Sequence, residues 1–332
     1  IKHLIAVKES LRRFRLTNIS FKPISIPKRE SRFRERLLQD FIISFGVLLN
    51  SLKLDAKRVI YLSTNSSILL TAKIIARIGW MASAHYYFVQ HSVLESIVDL
   101  KKENYFLELV SYRSSLERLN NKKIKYILLG ASIQRSLHQE MPGIIEYCIV
   151  FDHPYIFQDF ENTKDPSKNL VFSFFGIGHK KKGLDIFLNL AKEAFNYTNN
   201  TLDYEFRCTG PLTLSYKGNC NLKYVKNINF SAAVPYDKYK EECELATYAL
   251  FPYSKSSYRF YPSGAIFDAI NLGKPIICIK NEYFNEIFHS CGDIGYLCND
   301  EDSVENVIKE ILDGFNYDYY SLQRENILKL KE

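Results

Sequence analysis

Apolar runs of strand length alternate along this chain with segments of helical periodicity, and the alternation is played out twice. Leu4, Ile5, Leu11 and Phe14 fall near one stripe, which predicts an amphipathic helix over residues 1–15, and Thr17–Pro27 reads as a strand closed by proline. Glu30–Leu52 has helical spacing, and Arg58–Ser63 is a short buried strand. Asn65 or Ser66 is placed to cap a helix running to about Ile78. His85–His91, Lys123–Leu129 and Glu146–Phe151 follow as strands, with His91-Ser92 where the first of them becomes loop.

A polar, turn-rich stretch, Ile156–Asn169, then interrupts the pattern and marks a domain boundary. The alternation restarts with a strand at Leu170–Phe175, a helix from Gly183 to about Asn196 and a strand at Tyr204–Cys208 ending at Gly210-Pro211. Ile228–Val234 is a short strand or loop, Tyr236–Ala246 a helix, and Ala249–Tyr253 the next strand. Ile276–Ile279, Ile294–Cys298 and a helix over Ser303–Phe315 complete this half. Strands alternating with helices predict parallel sheets covered on both faces. The fold class expected is therefore α/β, with doubly wound domains at 1–155 and 168–314 and a last helix, 315–332, that returns to brace the first domain. Such a domain ordinarily begins with a further strand and a glycine-bearing turn, so the first strand is expected to be missing ahead of Ile1.

Within the second half, Pro262–Pro275 concentrates the interest. A strand leads into Ser263-Gly264, where serine can N-cap a helix; Gly273 ends that helix as a left-handed cap, and Lys274-Pro275 opens a fresh apolar strand. A helix N-terminus entered through glycine at the carboxyl end of a parallel strand suits an anion, because its free N–H groups and its dipole both point at the ligand. Asp268, one to two turns in, can accept bonds from sugar hydroxyls. The same stretch also fits an ordinary well-capped strand–helix–strand unit. Gly176-Ile-Gly-His-Lys-Lys-Lys-Gly183 adds weight to the anion reading: Gly176 and Gly178 permit close backbone approach, and Lys182 stands at the turn into a helix. Two such sites at one sheet edge bracket the crevice in which open α/β folds bind ligands.

Composition narrows the setting. At 332 residues, 46% hydrophobic and 24% charged, the chain can build two real cores. Its 14% aromatic content suits buried rings or flat, sugar-like surfaces. Seven scattered cysteines without a Cys-x-x-Cys pair argue against a zinc site or a disulfide framework and for the reducing cytoplasm. No window approaches eighteen uninterrupted apolar residues. The net charge of +7 is concentrated at the start, where Lys2–Arg58 carries fourteen basic and five acidic residues. The basic runs between Arg12 and Arg36 fit either an anionic membrane surface, with peripheral attachment, or a solvated helix face. No nucleic-acid-binding motif accompanies them.

The set Phe174-Phe-Gly176, Lys182-Gly183, Gly210, Phe251-Pro-Tyr-Ser254, Ser263-Gly264, Asp268-Ala269 and Gly273-Lys-Pro-Ile276 resembles the C-terminal half of group 1 glycosyltransferases. These are the retaining, family-four-like enzymes of the GT-B fold that build bacterial polysaccharide, O-antigen or capsule. The resemblance covers about 170–300, and the first half only through its alternation and His91. It implies two Rossmann-like domains facing across a cleft, a nucleoside-diphosphate sugar held by the second, and a saccharide or lipid-linked acceptor held by the first. It implies no cofactor and no metal. Carried over residue by residue, Gly176, Gly178, His179, Lys182, Ser263 and Gly264 would bind the donor phosphates, and Asp268 the ribose. Gly210, Phe230 and Val234 would flank the base, and His91 would stand beside the reacting sugar. Ile177 replaces the family's arginine, Phe260 the first acid of its paired-acid motif, and Tyr261-Pro-Ser263 its Gly-Phe-Gly. Tyr258, Arg259 and Tyr261 are candidates to replace the lost sugar contacts, although the tyrosine-rich stretch 253–261 also suits packing between domains. His91 equally fits a strand-end histidine bonded to backbone, and His153, before Pro154, suits shaping a turn. Two alternatives stand beside the transferase: a non-catalytic transferase-like partner subunit, favoured by Phe260 and Ile177, and a nucleotide-sugar epimerase of the same fold.

Overall fold

The structure, a computed structural model, describes residues 33–54, 56–77, 84–98, 111–157, 169–199, 203–231, 233–254 and 258–330. The helix expected over 1–15, the strand Thr17–Pro27, the basic residues before 33 and most of the boundary stretch lie outside these.

The first domain is built from α1 (Phe33–Lys53), β1 (Arg58–Tyr61), α2 (Ser66–Ile75), β2 (His85–Gln90), α3 (Tyr112–Glu117), β3 (Ile124–Leu129), α4 (Ala131–Glu140) and β4 (Cys148–Phe151). Its strands pair in chain order, β1-β2-β3-β4, all parallel. Asn65 caps α2 as its position suggests, its side-chain oxygen accepting the Ile68 N–H at 2.9 Å while its amide donates to Asp40 at 3.0 Å. The core stacks Tyr61 on Phe88, with Tyr126 beyond, and surrounds them with Leu69, Ile124 and Ile133.

The second domain contains β5 (Leu170–Phe174), α5 (Leu184–Thr198), β6 (Tyr204–Cys208), β7 (Val225–Lys226), α6 (Tyr236–Leu245) and β8 (Tyr248–Phe251). It continues through α7 (Gly264–Asn271), β9 (Ile276–Ile279), α8 (Glu282–Cys291), β10 (Gly295–Cys298), α9 (Glu301–Asp313) and α10 (Tyr317–Lys329). The third strand falls at Val225–Lys226, just ahead of the segment expected to hold it, and the residues after it form a loop. All six strands are parallel, in the order β10-β9-β8-β5-β6-β7. Read from β7, this is the third, second, first, fourth, fifth and sixth strand of the domain, the order of a doubly wound dinucleotide-binding sheet. β5, β8 and β9 are buried along their whole length because helices cover both faces. Alternate residues divide accordingly: Ile277 and Ile279 join the cluster around Phe172, Phe187 and Phe206, and Ile276 and Cys278 the cluster around Phe251, Ile266 and Phe284.

The chain leaves β5 toward β6 on one side and returns to β8 on the other, so the order reverses between β5 and β8. The loops after these two strands open on that switch point, where such sheets bind ligands. They are the two glycine-bearing stretches singled out above.

α10 packs on the second domain instead of returning to the first. Tyr320 enters the β5-side core, Ile327 the opposite core, and Arg324 donates to the Gly273 carbonyl at 3.2 Å. One tie between the domains is the loop before α7. Phe260 belongs to the second domain by sequence, yet it is buried in the first domain's apolar cluster. Beside it, Arg259 is paired with Glu140 and Gln139 at the end of α4, both at 2.8 Å.

Candidate functional site

Gly176 follows β5 with φ +82°, a conformation that L side chains rarely adopt. Its N–H donates to the Thr209 hydroxyl at 3.0 Å, and that hydroxyl donates to the Phe174 carbonyl at 3.1 Å, so the loop is tied to β5 and β6. Gly178 is held by its N–H on the Pro211 carbonyl at 2.9 Å. A Cβ placed on Gly176 would lie 3.1 Å from the Lys182 ammonium nitrogen and 3.4 Å from Ala265 Cβ. The bare backbone, the lysine and the first turn of α7 therefore converge on one spot, although Lys182 and Ala265 are far apart in sequence.

Burial pushes the Lys182 ammonium down to about 8, with Asp268 pulling the other way. A cation whose pKa is depressed by desolvation binds an anion that restores its charge. Because the bound anion raises that pKa, binding of a diphosphate is expected to take up a proton between roughly pH 8 and 10, and to weaken as pH rises through 8. Calorimetry in buffers of different ionisation heat measures the uptake. Lys182→Ala should lose it.

His179 is half-buried beside this lysine. Burial lowers its pKa first, then Lys182 and Lys181, while Glu95 acts in the opposite sense. Glu95 reaches over from the helical turn after β2 and pairs with Lys181 at 3.0 Å. Sequence alone offered no signal for this carboxylate, since the pair spans 86 residues.

Ser263 occupies the N-cap position of α7 but does not cap with its side chain. It is buried, and its hydroxyl shares a hydrogen bond with the Tyr253 hydroxyl at 3.1 Å. The serine thus fixes the loop, and α7 begins against Gly176 without a side-chain cap.

Asp268 accepts hydrogen bonds from Tyr155 and Tyr239, each at 2.8 Å. Burial, with the Asp268 charge added, pushes both tyrosine hydroxyls up and keeps them as donors. A shallow hollow opens beside this carboxylate, walled by Tyr155, Tyr236, Tyr239 and Asn271. The three residues expected to flank a base are not among its lining. Gly210 packs under Gly176, with room for no side chain (a Cβ would meet the Gly176 carbonyl oxygen at 2.5 Å), Phe230 leans on the domain core and Val234 is half-buried.

Two of the three candidate sugar contacts have other partners. Tyr258 is 4% exposed, with φ +60°, and stacks on Tyr253 with ring centres 4.3 Å apart. Arg259 is held by Glu140 and Gln139 as described. Tyr258 thus packs within the second domain, while Arg259 and Phe260 lie against the first. Tyr261 is half-buried against Tyr258, with Glu95 among the charges that act on it. His91 is exposed at the end of β2, and its charge acts with burial to lower the pKa of His153. The His153 ring lies on Phe267 of α7 at 5.0 Å, next to Tyr155 on the same phenyl ring at 5.6 Å. The segment joining the domains thus runs along the helix that carries Asp268.

The sequence matches no family model and no curated protein sequence. Solved structures do match. HepE from Anabaena, crystallised with UDP and glucose, superposes with TM-score 0.62 at 12% identity over 98% of this chain and 84% of its own. WaaG, a glycosyltransferase of lipopolysaccharide biosynthesis, gives TM-score 0.60 at 14% identity over 94% and 84%. TarM from S. aureus, in complex with UDP, Fondaparinux and alpha-GlcNAc-glycerol, gives 0.59 at 13% over 90% of this chain and 56% of its own length. At these identities the likeness concerns the path of the backbone. The chain has the GT-B fold, two parallel-sheet α/β domains joined across a cleft.

Proposed function

We propose that the protein is a glycosyltransferase that moves a sugar from a nucleoside-diphosphate donor to a saccharide or lipid-linked acceptor, with retention and without a metal. The observation that carries this is the convergence of Gly176, Lys182 and the start of α7 at the switch point of the second sheet. As the sugar leaves, negative charge builds on the diphosphate. A desolvated ammonium and a helix N-terminus fixed in advance stabilise that charge without reorganising. His179, at the entry to the same loop, and the amides after Ser263 and Gly264 complete the phosphate grip. Asp268 holds the ribose, and His91 faces the reacting sugar from the first domain. The solved structures support the donor class, since HepE and TarM were crystallised with UDP.

Bacterial cell-surface polysaccharide assembly in the cytoplasm is the setting proposed, at a membrane surface reached by the basic start of the chain. Among the described residues no helix is long and apolar enough to cross a membrane. Titration calorimetry with UDP, GDP and ADP tests the reading; heat from none of the three would end it.

Tyr155 gives a finer test of the ribose assignment. Its hydroxyl occupies one Asp268 oxygen, so Tyr155→Phe frees an acceptor and is expected to tighten nucleoside diphosphate binding about tenfold, the scale of one hydrogen bond to a charged group. Unchanged affinity for the diphosphate would place the ribose elsewhere.

A further inference from the structure

The first domain carries its own anion-competent helix start. Gly130 leaves β3 with φ +138° and stands at the N-cap of α4, with no side-chain cap. It lies one strand over from His91 on the carboxyl edge of the same sheet, since β2 and β3 pair in register. Three donors gather there. The Ala131 N–H donates to Glu286 Oε1 at 3.1 Å, and Arg135 donates to Glu286 Oε2 at 2.9 Å. The third is the hydroxyl of Ser132, whose residue is 1% exposed and whose oxygen has no hydrogen-bond partner among the described residues. A Cβ built on Gly130 would stand 3.8 Å from that hydroxyl and 3.9 Å from the Glu286 oxygen, so the unused donor and the carboxylate flank the same point.

Glu286 belongs to α8 of the second domain. Its carboxylate brings two oxygens to a place that offers three donors, and a buried hydroxyl left without a partner is costly. A phosphoryl group brings three oxygens and a greater charge, which both the helix dipole and the planar guanidinium favour. We propose that the start of α4 is a phosphoryl-binding site of the first domain, and that Glu286 is a resident stand-in which the ligand displaces. Resting on the transferase reading, the ligand is the phosphate of the acceptor, either a sugar phosphate or a lipid-linked phosphate. Displacing Glu286 also uncouples α8 from α4, so acceptor entry loosens one of the ties between the domains.

The test uses the full-length chain, labelled with nitrogen-15, and follows the Ala131 and Ser132 amide resonances while inorganic phosphate is added. Glu286→Gln removes the competing charge and is expected to strengthen the response about tenfold, because the competent fraction of sites rises. Arg135→Ala should abolish it, and Lys182→Ala, which empties the donor site, should leave it unchanged. Glucose 1-phosphate and a short prenyl phosphate, run in parallel, show which carrier binds more tightly. Ala131 and Ser132 resonances that stay fixed in the Glu286→Gln chain, with its other resonances native, would overturn the proposal; so would a response that persists in Arg135→Ala. A response at Ala131 in a chain that binds no nucleoside diphosphate would keep the site and remove the transferase reading.

Discussion

Lys182→Ala is expected to lower kcat/KM for sugar transfer by about two to three orders of magnitude, the usual cost of removing one preorganised charge from a transition state. The size of the effect follows from where the ammonium is kept. It lies under Gly176 and beside α7, desolvated enough that its pKa falls to about 8. Water therefore does little of the screening that makes exposed lysines weak partners for anions. Lys182→Arg should not rescue it, because the ammonium nitrogen already stands 3.1 Å from the point where a Gly176 side chain would begin, and a branched guanidinium needs more room. Circular dichroism and thermal melting should show both variants folded. Full activity in Lys182→Ala would favour a non-catalytic partner subunit over a transferase.

The second large effect concerns the domain junction. Phe260→Ala is expected to destabilise the first domain by about 3–5 kcal/mol, since it removes a buried aromatic side chain and leaves a cavity. Phe260 is 3% exposed within that domain's core, and the Arg259 guanidinium covers its ring at 5.0 Å. The loss should appear in chemical denaturation as an earlier transition of the first domain and in X-ray scattering as a larger spread between domains. Phe260→Glu, which restores the acid of the resembled motif, should be worse still, because the carboxylate would be buried without a partner. If both variants unfold like the parent, Phe260 contributes nothing to the junction.

The sequence made the strand–helix alternation and the two glycine-bearing loops legible because their signals are local. Gly273 takes the positive φ expected of a helix cap, Gly176 and Gly183 take it too, and no side chain could replace them cheaply there. At Gly183 a Cβ would run into the Pro252 carbonyl oxygen. The unbroken apolar runs of β8 and β9 likewise report burial on two faces without reference to anything distant. What stayed hidden depends on long-range approach. Asp268 was visible as a helix acid, but its tyrosine partners come from 113 and 29 residues away. Glu95 meets Lys181 only when the domains meet. Phe260 is the clearest case: beside a family motif it reads as a lost acid, whereas in the fold it is a gained anchor. Chain pattern carries no record of which domain's core a loop residue enters.

Diffraction from crystals grown with a nucleoside diphosphate tests the central claim most directly. The expected structure has the β-phosphate within hydrogen-bonding distance of the Lys182 ammonium and the Gly264 and Ala265 amides, with the ribose against Asp268 in place of the Tyr155 hydroxyl. A diphosphate bound away from Gly176 and α7, with Lys182 still under the glycine and unengaged, would contradict it.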